Sequence, residues 1–140
     1  MQNITRLFDF PYYQLEHFNL PDALVTKYAN EWVKTSTQEY INKANALSRA
    51  LLNLGIQKND KIAVISSNNR TEWHISDIGI LQVGAQNIPI YPTISSEDYE
   101  YILNHSEAKY CFVSDQVVYD KLKEVQSRIP LLIDVYSFNE

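Results

Sequence analysis

A loop that grips phosphate needs glycines, because only backbone without a Cβ lets successive N–H groups close on the anion. The 140-residue sequence has three glycines, at positions 55, 79 and 84. Gly79 and Gly84 have the outer spacing of a Walker-type phosphate loop. Ala85-Gln86 stands where that loop carries its Lys-Ser/Thr pair, however, and the intervening Ile-Leu-Gln-Val is helical in pattern. The spacing therefore reads as packing, with these glycines letting a buried helix approach a sheet closely. His17, His74 and His105 are far apart and lack the i, i+4 partner or nearby cysteine pair of a metal site. His105-Ser106-Glu107 has the residue types of a hydrolytic triad, but neighbours in sequence point in different directions and no glycine-flanked nucleophile turn surrounds Ser106. That segment reads as a helix end. Cys111 sits in an apolar strand, as a small inert core residue. Glu97, Asp98 and Glu100 near a helix start oppose the positive end of the dipole and need no catalytic explanation. Acceptor patterns for N-glycosylation begin at Asn3, Asn69 and Asn104, without a secretion signal, and are read as chance. Residue chemistry alone gives no catalytic residue and no metal ligand.

The elements that position these residues follow from periodicity. Residues 7–20, LFDFPYYQLEHFNL, follow neither a two-residue nor a 3.6-residue period and are expected to be irregular. Pro21 suits the first turn of a short helix through about Tyr28, and Trp32 to Thr35 reads as a strand. Ser36 and Glu39 have capping-box spacing, and Tyr40, Ala44, Leu47, Leu51 and Leu54 make one apolar helical face. Gly55 stands where the helix end takes a left-handed residue, and Lys58-Asn59-Asp60 makes the next turn. Four largely apolar runs then recur, at 61–66, 87–91, 109–114 and 131–136. Between them lie helical patterns at Trp73 to Val83, at Glu97 to Asn104, and at Val118, Leu122, Val125 and Ile129. Gaps of this size fit parallel strands joined by right-handed βαβ crossovers, so the class is α/β. The expected organisation is an irregular N-terminal segment with a short helix and strand over 1–35, and an α/β subdomain over 36–140. The subdomain is expected to be incomplete at its C-terminus. LLIDVY reads as a strand buried on both faces with no covering helix after it, which implies a truncation and an edge open to self-association.

Composition narrows the partners. Hydrophobic residues make up 45% and charged residues 21%, which argues against disorder, and a net charge of -5 without a Lys/Arg cluster argues against nucleic acid. One cysteine and no leader-like apolar run point to a reducing cytoplasm. No run approaches the roughly 18 apolar residues of a membrane span, so membrane contact is at most peripheral.

The stretch from Trp32 to Asp115 resembles the opening of the adenylate-forming enzymes and, within them, the long-chain fatty-acyl-CoA synthetases. The resemblance rests on TQEYINKANALSRALLNLGIQKNDKIAVIS, NNRTEWHISDIGILQVGAQNIPIYPT and SSEDYEYILNHSEAKYCFVSD, in that order. Tyr91-Pro92-Thr93 tilts it toward fatty-acyl ligases over relatives that activate amino or aromatic acids. The resemblance implies a three-layer parallel-sheet portion of a large N-terminal domain. It implies a parent enzyme that uses fatty acid, ATP, Mg2+ and CoA, with the remainder of its own polypeptide as partner. The family's phosphate loop and later motifs do not occur in these residues, so no catalytic residue is carried over. No cofactor is expected on the 140 residues alone, which are read as scaffold. Asn69, Arg70, Trp73, Tyr91 and Thr93 are candidate site-lining residues, because loops at strand C-termini form the ligand edge of an α/β sheet. Against this, Trp73 and Tyr91 also read as packing anchors and Arg70 as a surface or interdomain ion pair. The alternatives are a stand-alone nucleotide- or CoA-binding module, a dimerisation module, or a piece of another acid–thiol ligase.

Overall fold

The computed structural model describes residues 4–139, so Asn3 lies outside the described residues. The chain divides into two compact units, Met1–Gln57 with Asn69–Gly84, and Lys58–Asn68 with Ala85–Glu140.

The first unit opens with a helix where irregular chain was expected: a 3-10 turn, Leu7–Asp9, runs into α1, Phe10–His17. Its start is set locally, by Pro11 in the first turn and by Asp9 accepting from the Arg6 backbone N–H at 3.2 Å. Pro11 is buried while Phe10, Tyr12 and Phe18 are exposed. The apolar residues thus form no single stripe, and the sequence shows no helical period. The short helix expected after Pro21 is instead a strand, β1 (Leu24–Tyr28), paired antiparallel with β2 (Glu31–Thr35). A two-residue connection, Ala29-Asn30, joins them, with Ala29 at φ 51. Pairing with the following strand overrides the local proline signal, and β-branched Val25 and Thr26 favour that outcome.

α2, Thr37–Asn53, carries the expected capping box: Ser36 Oγ accepts from the Glu39 N–H at 3.2 Å, and Glu39 Oε2 accepts from the Ser36 N–H at 2.8 Å. Its buried face runs through Tyr40, Ile41, Ala44, Ser48 and Leu51; Leu54, expected on that face, is the exposed C-cap residue. Gly55 follows at φ 82. α3, Thr71–Gln82, packs on α2 at Gly79, where an added Cβ would lie 2.9 Å from Leu47 Cδ2 and 3.1 Å from the Ala44 carbonyl oxygen. The close approach expected of the glycines is thus between two helices, not helix on sheet. Ser48 Oγ lies 2.9 Å from the Gly79 carbonyl oxygen across the same contact. Gly84, at φ 77, closes the turn after α3.

The second unit is the α/β layer. Strands β3 (Lys61–Ile65), β4 (Gln86–Ile90), β5 (Ala108–Val113) and β6 (Asp134–Ser137) form an all-parallel sheet in the order β4-β3-β5-β6. Alternate residues Ala63 and Ile65, Cys111 and Val113, and Val135 face one core, as the two-residue period of a strand requires. Tyr99 and Leu103 of α4 (Ser96–Ser106) and Val118 and Leu122 of α5 (Gln116–Lys123) fill that core from one side. Val125 and Ile129 join it although α5 has ended, because a 3-10 turn, Gln126–Arg128, keeps them on the same face. Each fully buried side chain of this size is worth about 1.5–3 kcal/mol against exposure. The last strand departs from expectation. It begins three residues late, at Asp134, and is a half-exposed edge: Val135 is buried, whereas Asp134 and Ser137 are exposed. It pairs on one side only, with β5, so alternation returns in place of burial on both faces.

The α2–α3 contact leaves no room for a branched side chain. Gly79→Val should lower the unfolding free energy by about 2 kcal/mol, read as a lower midpoint with an unchanged slope in urea titration. An unchanged midpoint would show that the helices can separate freely.

Candidate functional site

In a parallel sheet the strand order reverses at one point, and the crevice outside the carboxyl ends of the two strands there is the usual ligand position. Here β4 and β5 both flank β3, and the reversal falls between β3 and β5. A hydroxyl–carboxylate latch closes that point. The Ser67 N–H donates to Ser114 Oγ at 2.9 Å, and the Ser67 and Ser114 hydroxyls donate to Asp115 Oδ2 at 2.7 and 2.6 Å. Asp115 is also the N-cap of α5, its Oδ1 accepting from the Val118 N–H at 3.1 Å. Burial opposes its ionisation, but the hydrogen bonds from Ser114, Ser67 and the first turn of α5 outweigh it and hold the carboxyl below the ordinary aspartate range. The sequence reading missed this latch; Ser114-Asp115 after a strand and before a helical pattern was the available signal.

Tyr91 and Thr93, two of the expected site residues, follow β4 on the same edge. Tyr91 is 81% exposed, so it anchors no packing among the described residues. The backbone beside it is held from within: the Tyr99 hydroxyl donates to the Pro92 carbonyl at 2.8 Å, and burial pushes the Tyr99 phenol up to about 12, keeping it a donor. Lys121 Nζ donates to the Pro92 carbonyl at 3.4 Å and to the Ile94 carbonyl.

Asn69, Arg70 and Trp73 belong to the first unit. Asn69 and Arg70 line a cleft of about 80 Å³ together with Leu24, Thr26 and His74. Arg70 is 8% exposed, so its ion pair is not a surface one. Its Nε and Nη2 donate to the two Glu72 oxygens at 2.8 and 3.0 Å, and the guanidinium lies 5.4 Å from the Tyr28 ring centroid. The Tyr28 hydroxyl lies 2.7 Å from each Glu72 oxygen. Burial again opposes ionisation of Glu72, and the bonds from Arg70 and Tyr28 overcome it, lowering the carboxyl. Thr26 Oγ1 accepts from the Thr71 N–H at 2.8 Å, a cap for α3 supplied by β1 where Arg70 supplies none. Trp73 is half-buried, edge-on to His74 with ring centroids 5.5 Å apart. A larger cleft of about 1000 Å³, unmarked in the sequence, lies in the same unit among Arg6, Tyr12, Asn45, Arg49 and Gln82. Tyr12 links its sides, donating to Asn45 Oδ1 at 2.8 Å and accepting from Gln82 Nε2 at 2.7 Å.

Several other reactive residue types make local structural contacts. Gly79 lies inside α3 and Gly84 ends it, so their Walker-like spacing is helix. Ser106 Oγ donates to the Leu103 carbonyl at 3.3 Å, His105 stacks on Tyr101 at 5.7 Å, and Glu107 is the left-handed C-cap of α4. Cys111 is fully buried, which raises its thiol pKa far above the ordinary value. Asp98 completes a capping box with Ser95. Among the described residues no group of three or more His, Cys, Asp or Glu could hold a metal, and no helix is long and apolar enough to cross a membrane.

A family model for the AMP-binding enzymes matches residues 16–139. The chain is 34% identical over 104 residues to the long-chain-fatty-acid–CoA ligase FadD15 of Mycobacterium bovis, a match covering 74% of this chain and 17% of that protein. In fold it is similar to the long-chain-fatty-acid–CoA ligase FadD1 of Archaeoglobus fulgidus, with a TM-score of 0.82 at 21% identity over 97% of this chain and 28% of the other. It is equally similar to the anthranilate CoA ligase AuaEII, with a TM-score of 0.82 at 19% identity over 99% of this chain and 26% of the other. The chain thus spans about a sixth of the FadD15 length.

The latch is an acid-sensitive element of known sign. The Asp115 pKa is lower in the folded chain than the unfolded value of about 3.9. Its contribution is therefore complete above the unfolded value and is lost as pH falls through the folded one. Replacing Ser67 and Ser114 by alanine should raise the Asp115 midpoint, read from its carboxyl carbon shift in an NMR titration. A midpoint identical to that of the unsubstituted chain would remove the hydroxyls as the cause.

Proposed function

The chain belongs to the AMP-binding enzyme family, and on that premise we propose that it is the N-terminal part of an ATP-dependent long-chain fatty-acid–CoA ligase. In that reaction a carboxylate oxygen of the fatty acid attacks the α-phosphorus of ATP, giving the acyl-adenylate and pyrophosphate. The CoA thiol, losing its proton, then attacks the acyl carbonyl, and AMP leaves as the thioester forms. An anion must approach an anion in the first step, so Mg2+, backbone donors and basic side chains are needed around the phosphates. The observation that carries the reading is the ordered run Asn69-Arg70-Thr71-Glu72-Trp73, Gly84-Ala85 and Ile88-Pro89-Ile90-Tyr91-Pro92-Thr93 within the similarity to the mycobacterial ligase.

Within such an enzyme these residues are scaffold. Tyr91 and Thr93, exposed at the carboxyl end of β4, are ligand-lining candidates of the second unit. Asn69, Arg70 and Trp73, at the start of α3, are separate candidates of the first. The groups that hold ATP, Mg2+ and CoA come from the remainder of the polypeptide, and the setting is cytoplasmic with at most peripheral membrane contact. The likeness to an anthranilate ligase supports a second reading, another acid–thiol ligase of the same family. Exposed Leu131 and Ile133 at the approach to the β6 edge support a third, self-association.

Calorimetric titration of the 140-residue chain with ATP–Mg2+ and with CoA tests the scaffold role. The expected result is no saturation below about 1 mM; a micromolar isotherm would make the chain a binding module in its own right. A polypeptide carrying the remaining family sequence should convert palmitate to its CoA thioester, and a preference for an aromatic acid would move the assignment to the second reading. Light scattering addresses the third: a defined dimer that Ile133→Lys abolishes would establish it, whereas a monomer before and after substitution would dismiss it.

A further inference from the structure

We infer that α5 is the positioning element of the sheet's ligand-facing edge, and that Lys121 is the residue by which it fixes the loop carrying Tyr91 and Thr93. The loop runs from the end of β4 at Ile90 to the N-cap of α4 at Ser95. Its carbonyl oxygens at Pro92 and Ile94 are both taken by the ammonium of Lys121, which reaches across from α5. The ammonium also lies 4.9 Å from the ring centroid of Tyr99, the side chain that supplies the other bond to Pro92. Among the described residues Lys121 forms no ion pair; its charge is spent on two backbone carbonyls and a ring face.

A surface lysine normally keeps its rotamer freedom and its water, so pinning one costs entropy that a loop-fixing contact must recover. The neighbouring charged residues of α5 face elsewhere. Asp120 accepts from Gln116 Nε2 at 2.6 Å, and Lys123 lies 5.0 Å from the Tyr119 ring. The helix that carries Lys121 is itself immobilised, by Val118 and Leu122 in the core and by Asp115, which binds Ser67 from the loop after β3. One helix thus ties down two loops of the same edge: the start of the β3 loop through its N-cap, and the β4 loop through Lys121. Tyr91 and Thr93 are exposed side chains on a backbone held from beneath, a geometry suited to presenting them to a ligand.

The clamp rests on the proposed function only in treating this edge as ligand-facing, and it can be tested on the 140-residue chain with no ATP, CoA or acid present. A failed ligand titration would therefore count against the function and leave the clamp untouched. In backbone 15N relaxation, Lys121→Met should lower the order parameters of the Thr93 and Ile94 amides from about 0.85 to below about 0.6, with β3 and β5 unchanged. Lys121→Arg, which keeps the charge, should restore them. Unchanged order parameters at Thr93 and Ile94 in Lys121→Met, or an equal fall throughout the sheet, would overturn the inference. The unsubstituted protein gives an independent reading should the methionine variant not fold. The Lys121 ammonium protons should exchange with solvent at least about tenfold more slowly than those of Lys27 or Lys58, since hydrogen-bonded donors are withheld from water. Equal rates would overturn it as well.

Discussion

β3 gives both of its edges to strands that arrive later in the chain, Gln86–Ile90 on one side and Ala108–Val113 on the other. Parallel neighbours cannot be reached by a tight turn, so each must be brought in by a crossover. Two consequences follow for the second unit. Ile62, Ala63, Val64 and Ile65 are all buried, because a central parallel strand has no solvent face. The segments leaving β3, β4 and β5 all emerge at the same end of the sheet, which concentrates the polar side chains of those segments along one edge. Ser67, Ser114, Asp115, Tyr91 and Thr93 all lie in these segments.

What such an edge does depends on how its polar groups are satisfied. At the reversal between β3 and β5 the hydroxyls of Ser67 and Ser114 and the carboxylate of Asp115 bind one another and the first turn of α5. Beside β4, by contrast, side chains from α4 and α5 bind the loop backbone and leave Tyr91 and Thr93 outward. The first position is locked and the second displayed. An enzyme whose chemistry is the approach of two anions needs rigid surroundings, because electrostatic stabilisation depends on donors that do not reorganise during the reaction. The proposed scaffold role asks for that division.

The first unit solves a different problem, the burial of a charge. Arg70 is almost enclosed, and a guanidinium in that position is tolerable only if its donors are matched. Glu72 meets it with both oxygens, two residues along the same turn, and Tyr28 from β1 completes the set with a ring face and a hydroxyl. The adjacent Thr26–Thr71 bond binds the same strand to the first turn of α3. The hairpin therefore takes part in holding Arg70 and Glu72, although nothing in its own residues suggests chemistry.

Local patterns along the chain are enough to specify the α/β class, the four parallel strands to within about three residues, the α2 capping box, the left-handed Gly55 and the family. These depend on near-neighbour spacing: a two-residue or 3.6-residue period, a cap three residues from its partner, or a motif read in order. Residues 7–20 and 21–28 carry no such pattern for the structure they adopt. α1 buries no continuous stripe, and β1 is a strand only because β2 lies beside it. Tertiary structure alone decided that Arg70 is buried and Tyr91 exposed, that Gly79 serves a helix–helix contact, and that Ser67 meets Asp115 and Lys121 reaches the Pro92–Ile94 carbonyls. Ser67 and Asp115 are 48 positions apart, and Lys121 and Pro92 are 29 apart. No local pattern can encode a pairing that exists only once the strands have taken their order in the sheet.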